Sequence, residues 1–408
     1  MKGHFYKPHC KCVDSNGKSK STKRCSCGAN WAYVLDIGKK PNGRRDQKKK
    51  GGFATRADAE AAAATLHHEL NTGTFVNEKN TTFKEFSEEW LKFYAKTGKV
   101  KISTVRVRQH EINRLMPFFE FLKLKDITKK QYQDMLNSLK GAANTLDGIH
   151  RTGRMIFKRA VELDVIKTDP TQYATVPKTQ RTVEDIEGKK DIPKFLEKEE
   201  LALFLKTAKE QGLEGDYLIF LTLAYSGIRA GELCCLKKTD FNEEEHTLNV
   251  SKTYFNPDNN IKEYQLLPPK TVTSERKIEL DPIVFTELNN QLAKQNEVKM
   301  RYRKTYYDKG YVFTNHSEEY AGYPIYIKLV ENRMARLLKL AGLNQELTPH
   351  SIRHSHCSLL AEAGVPLQDI MDRLGHKDDD TTKSVYLHVT KTKKKEASHK
   401  FSELMKSL

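Results

Sequence analysis

Apolar residues return along this chain at two different intervals, and the change of interval marks its parts. Residues 31–37, WAYVLDI, alternate and are rich in aromatic and β-branched side chains, the signature of a half-buried strand. GKKPNG follows as a turn, and RRDQKKKGGF then reads as a second strand, basic along its length. Thr55 is placed to cap a helix over 56–71, RADAEAAAATLHHELN, which stops at the pair Thr-Gly. Residues 1–76 are therefore expected to form a small sheet backed by one helix.

From residue 80 to 177 the interval becomes helical. Phe83, Phe86, Trp90 and Phe93 repeat down one face of FKEFSEEWLKFYAK, with Thr82 as its cap. Ser103 is expected to cap TVRVRQHEINRLM, and Thr128 to cap KKQYQDMLNSLK. ANTLDGIHRTGRMIFKRAVELDVI makes a fourth helix, closed by Asp169-Pro170. Four amphipathic helices of this length pack as a bundle. Residues 178–192, KTQRTVEDIEGKKDI, lack apolar periodicity and read as a linker. A third, mainly helical domain is expected over 193–395, interrupted by short strands at 247–255, 261–267 and 274–280. The last residues, 396–408, carry Phe401, Leu404, Met405 and Leu408 at helical spacing, a tail helix that docks on a neighbouring subunit or on its own domain. The fold class is multidomain and mainly α, with a sheet-plus-helix N-terminal domain, a helical bundle and an α+β third domain.

Charge narrows the class of partner. The chain of 408 residues carries a net charge of +17. Residues 1–56 hold 15 Lys and Arg against three Asp, so most of the excess lies at one end. Such asymmetry points to a polyanion, nucleic acid before an anionic membrane, since no basic amphipathic helix lies there. Arg44, Arg45, Lys48, Lys49 and Lys50 on the basic strand are the candidates for contact, because a β-ribbon fits the major groove of DNA. A solvated lysine-rich hairpin is the plainer alternative. In the bundle, Arg106 and Arg108 are candidates for backbone phosphates, beside Lys101, Lys129, Lys130, Arg151, Arg154 and Lys158. No apolar run approaches a membrane span, and the basic start lacks the apolar segment of a secretory signal, so a cytoplasmic protein is expected.

Seven cysteines fall into two groups. Cys234, Cys235 and Cys357 stand in apolar contexts and read as reduced core residues. Cys10, Cys12, Cys25 and Cys27 form two C-x-C pairs. Four thiolates in paired clusters suit tetrahedral zinc, although the familiar knuckle spacing is wider; reduced cysteines without metal are the alternative.

One stretch asks for chemistry. TPHSIRHSHCS, residues 348–358, sets three histidines and an arginine within seven positions. Thr348 is a good N-cap and Pro349 suits the first helical position. His350 then falls in the first turn, and Arg353 follows three residues later on the same face, a candidate anion site at a helix N-terminus. His350 and His354 have the i, i+4 spacing of a zinc protease, but Ser351 stands where its glutamate would be. Two further stretches lie around it: LAYSGIRAGELCCL at 223–236, with Arg229 in a turn between helices, and DRLGHKDDDTTKSVYLHV at 372–389, with His376 after a glycine and Tyr386 ten residues on.

The ordered set Arg229, His350, Arg353, His376, Tyr386 resembles the tyrosine recombinases, in particular the integrases of phages and integrative conjugative elements. The resemblance covers the layout too: residues 1–76 look like an arm-type DNA-binding domain, 80–177 like the helical core-binding domain and 193–395 like the catalytic domain. The four-cysteine cluster departs from the better-known arm domains. The resemblance implies a site-specific recombinase that cuts and rejoins double-stranded DNA at core-type and arm-type sites, as a synaptic homotetramer, with bending and excision proteins as accessory partners. It implies a tyrosine nucleophile at 386, a 3′-phosphotyrosyl intermediate and no cofactor for catalysis. It also implies a lysine on a β-hairpin, for which Lys270 in PPKTVTSERKI is favoured over Lys277 and Lys262. Glu232 matches an acidic position that would orient a neighbour. A type IB topoisomerase-like relaxing enzyme and a catalytically dead DNA-binding regulator are the alternatives; the basic N-terminal domain argues against the first, the full reacting set against the second.

Overall fold

A computed structural model describes residues 3–22, 25, 27–39, 42–72, 75, 80–98, 100–177, 195–256, 258–269 and 275–375, together with residues 382, 383, 386, 387 and 405. The linker at 178–192 and, apart from residue 405, the tail at 396–408 lie outside the described residues. Met1–Gln180 and Arg181–Leu408 form two compact units.

In the first unit, β1 (His4–Tyr6), β2 (Trp31–Lys39) and β3 (Arg45–Phe53) make an antiparallel sheet in that order. The apolar alternation forecast β2, and β3 pairs with it as the intervening turn required. β1 is the third strand that the resemblance to an arm-type domain implied, although three residues could not announce it by periodicity. Tyr33 and Leu35 turn from β2 onto Ala63 and Leu66 of α1 (Arg56–Asn71), which Thr55 caps reciprocally with Asp58.

The bundle comprises α2 (Phe83–Lys96), α3 (Ile102–Phe119), α4 (Lys129–Ser138) and α5 (Ala143–Glu162). Thr82 and Thr128 close capping boxes with Glu85 and Gln131. Ser103 is no cap: Lys101 holds that position, and α3 runs on through Pro117, which cannot donate to the carbonyl four residues back and so weakens the last turn. Phe83, Phe119, Tyr132 and Phe157 form an aromatic centre, Phe119 stacked on Tyr132 at 6.0 Å and Phe157 edge-on to it at 5.8 Å. Phe93 leaves the stripe and lies under the Arg159 guanidinium at 4.9 Å.

Arg108 is a correction. It was expected among the cations facing phosphates, yet its side chain is only 12% exposed, and Nη1 donates to Glu111 at 2.7 Å and to Thr152 at 2.9 Å. Thr152 donates in turn to the same Glu111 carboxylate oxygen. Gly148 makes room for this group, since a Cβ there would meet Glu111 Oε1 at 2.4 Å. Arg108 thus belongs to the α3–α5 interface. Arg106 is half-buried, and Arg151, Arg154 and Lys158 line an open groove along α5.

In the second unit, α6 (Lys198–Gln211) and the almost wholly buried α7 (Asp216–Ser226) lead through Gly227 into the short α8 (Ala230–Leu233). Then come β4 (Phe241–Asn242), β5 (Thr247–Val250), the hairpin β6 (Thr253–Phe255) with β7 (Gln265–Leu267), and β8 (Arg276–Glu279). β4, β5 and β8 form an antiparallel sheet in that order. The expected strand 247–255 breaks at Ser251-Lys252, where the lysine reaches both oxygens of Asp240 at 2.6 and 2.7 Å. Only the end of the expected strand at 261–267 pairs. Helices α9 (Pro282–Arg301), α10 (Ile327–Leu340), α11 (Pro349–Glu362) and α12 (Leu367–Leu374) complete the unit. Its core joins Phe204, Phe220, Leu248, Ile278, Val330, Leu337 and Ile352, and the Leu196 amide donates to buried Ser355 at 2.9 Å, fastening the start of the unit to α11. No described helix is long and apolar enough to cross a membrane.

Candidate active site

Arg229 follows the left-handed Gly227, φ +65°, that stops α7, and it occupies the N-cap of α8. A turn that sharp needs a glycine, and one with no room for a side chain: a Cβ on Gly227 would come within 2.6 Å of His356 Cδ2 and 2.8 Å of Leu374 Cδ2. The Arg229 guanidinium donates to Glu232 Oε1 at 2.9 Å and its backbone amide donates to Oε2 at 3.0 Å. The arginine remains 39% exposed while the glutamate is buried.

Glu232 serves a second cation. Arg276 of β8, itself 5% exposed, donates from Nη2 to Glu232 Oε2 at 2.9 Å and from Nε to the Arg373 carbonyl at 2.8 Å. Burial alone would raise the Glu232 carboxyl, but Arg276 and then Arg229 outweigh it and hold it below the usual carboxylate range. Glu232 is therefore ionised at neutral pH and fixes both guanidiniums.

On α11, Thr348 caps with Ser351 and Pro349 opens the first turn, as the residues required. His350 is exposed, edge-on to His354 at 4.6 Å. Arg353 is 2% exposed, so the two residues expected on one face differ sharply in access. Arg353 donates from Nη1 to the Gly227 carbonyl at 2.7 Å and from Nη2 to the Leu374 carbonyl at 2.6 Å. One guanidinium thus ties the end of α7 to the end of α12, two residues from Arg229 on one side and two residues before His376 on the other. The links close on themselves: Arg229 to Glu232 to Arg276, to the backbone at 373–374, to Arg353, and back to Gly227.

His356 is buried, with Nδ1 donating to the Ala224 carbonyl at 2.8 Å and Nε2 accepting from Arg373 Nε at 3.1 Å. Burial first, then Arg373, pushes its pKa down to about 4, so it stays neutral and structural. Tyr386 is half-buried and packs on the cluster of Cys357, Ala361, Ile370 and Leu374, between α11 and α12. The structure thus brings Arg229, Glu232, Arg353 and the frame beneath Tyr386 into one continuous region.

Lys270 and His376 lie outside the described residues. The two rival lysines are engaged elsewhere: Lys277 pairs with Glu245, and Lys262 sits 3.6 Å from Glu319 and over the Tyr320 ring at 5.3 Å. Lys277 and Arg276 are adjacent on one strand, so their side chains leave opposite faces. Reading from sequence missed Arg276, Arg373 and Gly227. Only the glycine left a signal, standing between an apolar helix and Arg229.

On the N-terminal sheet the pleat divides the basic strand. Lys48 is paired with Leu35 and Lys50 with Tyr33, the residues that face α1, whereas Lys49 is paired with Val34 on the other face. Lys48 lies over the Phe75 ring at 4.8 Å. Arg45 shares the parity of Lys49 and its side chain is 80% exposed; Arg44 is exposed in the turn. The cysteines Cys10, Cys12, Cys25 and Cys27 come together, while Cys234, Cys235 and Cys357 are buried singly in apolar surroundings or beside one another.

Comparison with known proteins extends this geometry. Residues 194–393 match the model of the phage integrase family, residues 82–140 its N-terminal SAM-like domain, and residues 27–70 an arm DNA-binding domain. The prophage ps2 probable integrase of Lactococcus lactis subsp. lactis (strain IL1403) is 30% identical over 321 residues, covering 77% of this chain and 81% of that protein. The chain belongs to the phage integrase family. The integrase of Staphylococcus phage L54a is 27% identical and aligned over 83% of this chain and 98% of its own length. Among solved structures, the Tn1549 transposon integrase bound to circular intermediate DNA superposes with a TM-score of 0.56 at 20% identity, covering 75% of this chain and 95% of that one. A lambda integrase dimer bound to a core site gives 0.54 at 19% identity, covering 87% and 92%. At these identities the structures speak for a shared fold. Membership makes this integrase a tyrosine recombinase, an enzyme of DNA strand exchange, and sets aside the topoisomerase alternative.

Proposed function

We propose that this integrase inserts and excises a mobile element by transesterification at double-stranded DNA, with Tyr386 as the nucleophile. The phenolic oxygen attacks phosphorus, the P–O5′ bond breaks, and a 3′-phosphotyrosyl link keeps the bond energy for resealing. A tyrosine hydroxyl, with a pKa near ~10, needs help to lose its proton at neutral pH, and exposed His350 is the base that takes it. Arg229 and Arg353 stabilise the extra charge on the non-bridging oxygens, a task suited to planar guanidiniums that never deprotonate. Lys270 gives the leaving 5′-oxygen its proton, and His376 donates to a phosphate oxygen. The observation that carries this reading is the closed network through Gly227, Glu232, Arg276 and Arg353. It holds Arg229 at the edge of solvent and locks Arg353 to the Gly227 carbonyl, two residues before Arg229, so charge stabilisation is prepared before DNA arrives.

In this reading four copies assemble on paired attachment sites in the bacterial cytoplasm, with bending and excision proteins as accessory partners and the tail at 396–408 reaching a neighbouring subunit. Arg45 and Lys49 contact arm-type DNA. The test uses two attachment-site duplexes and a nicked suicide substrate. Wild-type protein gives recombinant product and a covalent adduct on a denaturing gel. Tyr386→Phe is expected to retain DNA binding and give neither. An adduct trapped by Tyr386→Phe would remove the nucleophile from this position.

A further inference from the structure

The stretch from Lys7 to Asn30 has no means of its own to stay folded. It runs 24 residues between β1 and β2 and offers, beyond its cysteines, only Pro8, Val13 and Ala29 as apolar side chains. Among its described residues just one, Lys7, is buried, and Val13 is 57% exposed. A loop this long inside a compact domain needs either a core or a staple. Yet its described residues are held by a defined set of bonds. Asp14 accepts from the amides of Asn16 and Lys18 at 3.1 and 2.9 Å, and the Lys20 amide donates to the Cys12 carbonyl at 2.8 Å. Lys7 Nζ donates to the Cys25 carbonyl at 2.7 Å, and the Cys10 amide donates to the Lys7 carbonyl at 3.1 Å.

These bonds bring two C-x-C pairs face to face. The four sulfurs lie within 4.8 Å of one another, with Cys10 Sγ 3.8 Å from Cys25 Sγ and 3.5 Å from Cys27 Sγ. A disulfide would need about 2.05 Å, so these are not bonded pairs. Four sulfurs at about 2.3 Å from a central tetrahedral zinc stand about 3.8 Å apart, which is the observed scale. The charge agrees. A zinc with four thiolates carries two negative charges, and this stretch supplies six Lys and Arg against one Asp.

We propose that Cys10, Cys12, Cys25 and Cys27 hold one structural Zn²⁺ that staples the 7–30 loop onto the end of the N-terminal sheet. The connection to the sheet is Lys7. Its ammonium, bonded to the Cys25 carbonyl, lies 5.4 Å from the ring centroid of buried Trp31, the first residue of β2, and the Arg56 guanidinium at the start of α1 lies 5.7 Å from the same ring. The metal therefore sets the position of the loop against both β2 and α1, the two elements that build the arm fold. The role is structural, because four protein ligands leave no open position for a reactant.

The full-length chain, purified without added metal and without chelator, is measured by plasma emission. About one zinc per chain is expected. Titration with a mercurial should release it in step with four thiols, and cobalt(II) exchanged into the site should show the thiolate charge-transfer and tetrahedral ligand-field bands. Cys12→Ser should lose the metal, while Cys12→His, which keeps a zinc ligand, should retain most of it. Limited trypsin digestion should spare the lysines of the loop in the zinc form and cut there after chelation. Less than a tenth of an equivalent of zinc, an equivalent of iron in its place, or disulfides among the four cysteines by mass spectrometry would overturn the site. A digestion pattern unchanged by removing the zinc would overturn the staple. None of these readouts depends on recombination, so the result stands apart from the catalytic assignment.

Discussion

Arg353 donates from Nη1 to the backbone carbonyl of Gly227 at 2.7 Å, across 126 residues of sequence. Two features of the family pattern, the turn before the first arginine and the His-x-x-Arg helix, are thereby one mechanical unit. The bond exists because Gly227 adopts a left-handed conformation with no side chain to hold His356 and Leu374 away. Gly227→Ala meets both obstacles: the backbone strain of a left-handed alanine, about 1 kcal/mol, and a Cβ overlapping the His356 ring. We expect it to lose about 2–4 kcal/mol of stability in the catalytic unit and to cleave DNA at least tenfold more slowly even below its own melting temperature. Denaturant unfolding and single-turnover cleavage measure the two effects. Wild-type values for both would mean that this close approach is not needed.

The neighbouring His356 makes the same region sensitive to acid. Its pKa in the fold is depressed to about 4, from the ordinary 6.5, by burial and by Arg373. Between those values the unfolded chain binds a proton that the folded chain does not, so stability rises with pH through this window and falls as pH drops from 7 toward 4. The loss from this one group is of the order of 3 kcal/mol when complete. It levels off once the pH is below the folded value. Thermal unfolding followed from pH 7.5 to 4.5 should show the decline, and His356→Gln, which retains a donor for Ala224 without titrating, should flatten it. An equally steep decline in the variant would assign the acid sensitivity to other groups.

The division of the basic strand by the pleat yields a contrast that total charge does not. Arg45 and Lys49 share the face away from α1, and Lys48 and Lys50 share the other. Removing two phosphate-contacting cations should lower the slope of log affinity against log salt by about 1.8 for duplex DNA. Arg45→Ala with Lys49→Ala should do this on arm-type sites. Lys48→Ala with Lys50→Ala should change the slope by less than half as much and act mainly on stability, since Lys48 covers Phe75. Equal slopes for the two double variants would sink the assignment of the DNA-facing side.

Much of this was legible in residues because the signals were local. Thr55, Thr82, Thr128 and Thr348 cap the helices they precede, through bonds that span three residues. The order of Arg229, His350, Arg353 and Tyr386 was legible for another reason: the chemistry admits few residue types. What sequence could not supply is long-range. Arg108 looks like any surface cation until Gly148, 40 residues on, opens the space that lets Glu111 and Thr152 receive it. Arg276 looks like one more basic residue in SERKIEL, and only the tertiary fold delivers it to Glu232. The cap at Ser103 failed on a local competition, because Ile102 already continues the helix from Lys101.

Lys270 is the lysine favoured over Lys277 and Lys262 for the leaving group, and its part can be separated from DNA binding. If Lys270 protonates the departing 5′-oxygen, Lys270→Ala should cleave ordinary DNA about 10²–10⁴-fold more slowly, the usual range for a lost general acid. A substrate with sulfur at the 5′-bridging position departs as a thiolate, with a pKa near ~8.5 by analogy with cysteine, and hardly needs a proton. Lys270→Ala should therefore cleave the sulfur substrate at nearly the wild-type rate. Arg229→Ala, which removes charge stabilisation from the transition state, should stay slow on both. The competing lysines give the control: Lys277 is held by Glu245 on the opposite face of its strand from Arg276, so Lys277→Ala should cleave both substrates at close to the wild-type rate. Single-turnover rates on matched oxygen and sulfur duplexes decide the matter. Equal impairment of Lys270→Ala on the two would move the acid to another group, and rescue of Lys262→Ala or Lys277→Ala by sulfur would identify which.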